Sequence, residues 1–137
     1  MLLVRVLCFL LAMAAAGWAQ AGAENWTPVA GQVIEQLDRA LDSYQSGNAE
    51  KARRAVIQAY FGPFEGGKME AAIRSHLGIE PAFTLERQFG AIRKDIKSGA
   101  SVSDVESAIN ALKQALKERA AQLNDAGVSR SVFEVNQ

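Results

Sequence analysis

From Val29 to Leu123 the apolar residues of this chain recur every three or four positions, and nowhere do they alternate with period two over a useful length. Steps of three and four keep returning to one face of a helix with 3.6 residues per turn, so the pattern commits the chain to amphipathic helices. The successive stripes are Val29, Val33, Leu37, Leu41 and Tyr44; Ala52, Val56, Ala59 and Tyr60; Met69, Ile73 and Leu77; Leu85, Phe89, Ile92 and Ile96; and finally Val102, Val105, Ile109, Leu112, Leu116, Ala120 and Leu123. Short glycine-bearing links, Ser46-Gly47-Asn48, Gly66-Gly67, Gly78 and Ser98-Gly99-Ala100, separate them. Helices joined so tightly pack antiparallel to their neighbours. The implied fold class is all-α, an up-and-down bundle of four main helices with a short extra helix inserted.

The helix ends carry their own marks. Thr27-Pro28 reads as a start, with Thr27 as N-cap and Pro28 at the first helical position. Gly47 suits a left-handed C-terminal residue, and Asn48 or Ala49 opens the second helix. Ser101 and Asp104 resemble a capping box. Asp125-Ala126-Gly127 ends the fifth helix, and 128–137 reads as a frayed tail.

Residues 1–21 stand apart from the bundle. One positive charge (Arg5), an apolar run over 6–16 and small residues at Gly17, Ala19 and Ala21 form the pattern of a cleaved secretory signal peptide. The apolar run is well short of the ~20 residues that span a bilayer. Asn25-Trp26-Thr27 matches an N-glycosylation acceptor, a motif outweighed by the Pro28 that follows it. The reading is a periplasmic or secreted bundle over 22–127, with no membrane span once the leader is removed. The single cysteine, Cys8, lies in the leader, so disulfides, thiolate metal sites and a cysteine nucleophile drop out for the bundle. The one histidine, His76, excludes paired-histidine zinc motifs. A net charge of zero offers no electrostatic case for nucleic acid. Haem-attachment, dinucleotide and phosphate-loop patterns are missing, and His76 has Ile73 rather than a glutamate three residues before it. The chain reads as a non-enzyme.

Carboxylate chemistry remains. Glu35, Asp38, Asp42, Glu65, Glu70 and Glu86 are the acidic residues nearest the apolar stripes. Glu65 and Glu70 differ from the others because they flank the one irregular stretch, residues 60–74. Pro63 cannot donate to the carbonyl four residues back, which predicts a kink or stop, and Gly66-Gly67 completes the break. Tyr60, Phe61 and Phe64 read as core anchors beside it. Two carboxylates brought together by such a turn can bind a hard cation through oxygen. Arg74, four residues after Glu70, and Lys68 are the internal cations that could pair with them instead.

The run Ala59-Tyr60-Phe61, Phe64-Glu65-Gly66-Gly67-Lys68-Met69-Glu70-Ala71-Ala72-Ile73 resembles the soluble periplasmic domain that precedes the membrane helices of bacterial iron permeases, with its pattern A-Y-F-x-x-F-E-x-x-G-x-E-x-x-I. Leu85-Glu86-Arg87-Gln88-Phe89-Gly90-Ala91-Ile92-Arg93 is similar to that family's L-E-x-x-F-x-x-[LI]-R. The resemblance extends more loosely over 37–116. It implies an iron ion as cargo, Glu65, Glu70 and Glu86 as its ligands, and a membrane iron permease or another uptake component as partner. The chain departs from the family in lacking later membrane segments and the permease R-E-G-x-E motif, so it would be an accessory rather than the transporter. Lys68 also stands where the family has glycine. The alternative is a non-catalytic interaction module, in which the aromatics are core and the glutamates pair with Arg74 or Lys68.

Overall fold

A computed structural model describes residues 25–133. The leader expected at 1–21, Cys8 within it, and the last four residues lie outside that range. Five α-helices follow in order: α1 (Thr27–Gln45), α2 (Ala49–Ala59), α3 (Met69–His76), α4 (Ile79–Ser98) and α5 (Val102–Asp125). A π-helical segment, Tyr60–Gly66, continues α2, and a 3-10 turn, Arg130–Phe133, follows α5. No strand occurs among the described residues, and none of their helices is long and apolar enough to cross a membrane.

The four long helices close a ring in which α1 packs on α2 and α5, and α4 packs on the same two. Short α3 lies against α4 and the π segment. This is the bundle that the stripes imply: Leu37, Val56, Phe89, Ile109 and Leu112 are all buried at its centre. The Ser101 cap forms as inferred, its Oγ accepting from the Asp104 amide at 3.1 Å, and at the start of α2 Asn48 Oδ1 accepts from the Lys51 amide at 3.0 Å. Each satisfies a donor that the first helical turn leaves free.

Helix α1 starts one residue earlier than its sequence suggests. Trp26, not Thr27, holds the cap position, and Asn25 Oδ1 accepts from the Thr27 amide at 2.9 Å. Trp26 is wholly buried. Its amide donates to Asn124 Oδ1 at 2.8 Å and its indole N–H donates to the Val128 carbonyl at 2.8 Å, which ties the start of α1 to the end of α5. Val128 is 5% exposed, so the bundle includes the first residue of the stretch that reads as a loose tail. Farther along the same seam Lys113 Nζ reaches Asp38 Oδ1 at 2.6 Å, and the Tyr44 hydroxyl donates to the Ala100 carbonyl.

Pro63 does not stop the helix. The chain instead widens to π register over Tyr60–Gly66 with Pro63 inside. A closure of five residues rather than four takes the ring off the carbonyl that it would strike in an α-helix. The stop comes at Gly67, whose amide donates to the carbonyls of Gly62 and Pro63, both at 3.1 Å. A Cβ at Gly67 would lie 2.1 Å from the Pro63 carbonyl oxygen, so only glycine fits. Lys68 then turns left-handed, with φ 67°, before α3 begins. That conformation costs a residue with a side chain about 1–2 kcal/mol.

A carboxylate cleft at the π segment

Three segments converge beside the π turn. Tyr60, Phe61 and Glu65 come from the π segment, Glu70 and Arg74 from α3, and Glu86 and Arg93 from α4; together they line an open cleft of about 450 Å³. Glu70 is the deepest acid, 8% exposed, in the first turn of α3, where a negative charge also suits the helix dipole. A carboxylate so placed must be paired or protonated. Arg74 Nη2 donates to its Oε1 at 2.7 Å, and the Tyr60 hydroxyl lies 3.4 Å from its Oε2.

Tyr60 registers all three acids. Burial first, then the negative charges of Glu70, Glu86 and Glu65, push its phenol up to about 12. Behind it the aromatic rings are packed, with Tyr60 5.3 Å from Phe89 and Phe64 5.2 Å from Phe89, centroid to centroid. Phe64 is fully buried, as an anchor should be. Phe61 departs from the core assignment: it is 57% exposed and stands at the cleft rim, its ring edge-on to Tyr60 at 5.0 Å. The π register puts Phe64 rather than its neighbour inward.

The three glutamates singled out by sequence therefore meet at one cleft. Glu65 and Glu86 enter no ion pair with any described residue, whereas Glu70 is engaged by Arg74. Lys68 takes neither glutamate. Of the other acids, Glu35 pairs with Arg39 and Asp38 with Lys113, away from the cleft, and Asp42 and His76 do not line it. Arg93 is the cleft residue that the sequence reading does not single out. It follows Glu86 by seven residues and so shares its side of α4, the spacing that could have placed it here. Its Nε is buried without a hydrogen-bond partner.

Three carboxylates against two guanidinium groups leave the cleft one charge negative. An oxygen-only donor set with a phenol suits a hard cation. With the side chains as they stand, no three acidic, histidine or cysteine residues among those described are gathered closely enough to hold a metal ion. Binding would require Arg74 to leave Glu70 and the freer Glu65 and Glu86 to swing inward.

No family model matches the chain, and comparisons with curated proteins and with solved structures find no match.

Proposed function

We propose that this protein is a non-enzymatic periplasmic accessory of iron uptake, which holds an iron cation in the cleft through Glu65, Glu70 and Glu86 and presents it to a membrane permease. The observation that carries this reading is the convergence of those three acids, from three separate segments, on one cleft with Tyr60. The local similarity to the periplasmic domain of iron permeases supports iron as the cargo. Arg74 neutralises Glu70 in the cation-free cleft, and an incoming cation takes its place, so the buried carboxylate is never left without a counter-charge. Glu65, exposed and unpaired, is the residue an arriving ion meets first.

Calorimetric titration with Fe²⁺ under anaerobic conditions, and with Mn²⁺ and Zn²⁺, tests the proposal. Glu70→Gln and Glu65→Gln should each weaken binding by tenfold or more, a loss of about 1.4 kcal/mol. Glu86→Gln should weaken it less. Unchanged affinity in the first two variants, or no binding by the parent protein, rejects it. The second reading, a cation-free interaction module, draws support from the Glu70–Arg74 pair and from Arg93 in the cleft wall. That reading requires Glu65→Gln to be silent in every titration.

A further inference from the structure

The π segment is one residue longer than the packing of the bundle asks for. Ala52, Val56 and Ala59 follow the 3.6 period along α2, and an unbroken α-helix would next bury position 63. Phe64 is buried instead, five residues on from Ala59. Without one residue between them, the same phenylalanine falls four after Ala59, on the ordinary stripe. Gly62 is exposed, and nothing lies within 4 Å of where its Cβ would be. The core therefore does not call for the extra residue, yet the chain accepts a proline inside a helix, a wide turn and a left-handed Lys68 around it.

The extra residue changes the cleft wall. Adjacent side chains on an α-helix point about 100° apart and do not face each other. Here the neighbours Tyr60 and Phe61 touch edge to face at 5.0 Å and line the same cleft. In a continuous α-helix Phe61, two residues after Ala59, would point about 200° away from the core stripe, out into water. We infer that the extra residue is a functional insertion, kept at the expense of stability to fold Phe61 against Tyr60 as the outer wall of the carboxylate cleft. A ring at that place limits water around the acids and so strengthens their field on whatever binds there.

The structural part of this inference stands alone, while its effect on cations rests on the function proposed above. The test compares the purified protein with a variant in which Gly62 is deleted and Pro63→Ala removes the helix-breaking ring. The melting temperature should rise by about 4 °C or more with helix content unchanged. Nuclear Overhauser contacts between the rings of Tyr60 and Phe61 should vanish, and Mn²⁺ affinity should fall at least fivefold. Phe61→Ala in the full-length segment should give the same loss of affinity with little change in melting temperature. A deletion variant that melts lower or fails to fold shows that packing demands the π turn and overturns the inference. So does one that keeps the ring contact, or whose Mn²⁺ affinity, or that of Phe61→Ala, matches the parent's. If the parent binds no Mn²⁺, Fe²⁺ or Zn²⁺, the carboxylate reading falls, and melting and ring contacts still decide whether the insertion serves the wall.

Discussion

Along the seam between α1 and α5 regular helices are closed by a few hydrogen bonds, from Trp26 against Asn124 and Val128, through Asp38 and Lys113, to Tyr44 and Ala100. Across the molecule, where the π segment meets α3 and α4, the chain holds a proline within a helix, a left-handed lysine, a buried glutamate and an outward-facing phenylalanine. Both regions bury large aromatics, so the difference is not one of core quality. The seam needs only apolar stripes and a few terminal hydrogen bonds. The cleft keeps polar groups and backbone irregularities that packing alone would remove, and such departures from local consistency are where function is to be sought.

Truncating the aromatic anchor of each region gives the largest effect. Trp26→Ala and Phe64→Ala should each lower the unfolding free energy by about 3–5 kcal/mol in urea titrations followed by circular dichroism. If Phe64→Ala cost under about 1 kcal/mol, the cleft would be an appendage and the comparison would collapse.

Ion pairs sharpen it next. Arg74→Gln strands a nearly buried carboxylate and should cost about 1–3 kcal/mol, more than Glu70→Gln, whose amide oxygen can still accept from Arg74. The half-exposed pair on the seam should be weaker, with Lys113→Gln costing about 1 kcal/mol or less. Equal losses at both places would remove the electrostatic distinction.

The smallest effect concerns the phenol. In a Tyr44→Phe background, absorbance titration should place the Tyr60 midpoint about 12, against 10 for the free side chain, and Glu70→Gln should lower it. Because the folded value is the raised one, the fold favours the neutral phenol. That contribution is complete below pH 10 and disappears as pH rises through 12, and Tyr60→Phe should flatten the decline of stability in that window. A midpoint of 10 would mean that neither burial nor the converging acids act on the Tyr60 phenol.

Periodicity made most of this fold readable, because Leu37, Val56, Ile73, Phe89 and Leu112 have only to land on one face of a helix. The π register was not readable. Pro63 announces a break, and only the packing of Phe64 on Phe89 reveals that the helix widens instead. Phe61, which reads as a core anchor beside the break, stands at the rim, 57% exposed. Trp26 precedes the first periodic residue, so its burial depends on α5, a partner about a hundred residues away. Glu65, Glu70 and Glu86 were legible as candidates through their place around the break and the local resemblance, but Arg93 needed the cleft itself to give it a role.

The clasp at Trp26 has a mechanical side. Asn25 and Val128 leave the bundle from the same pole, held together by the indole and Asn124. A load applied across the two ends of this domain therefore meets that clasp first and opens the α1–α5 seam as a zipper, tooth by tooth, rather than shearing all of its contacts at once.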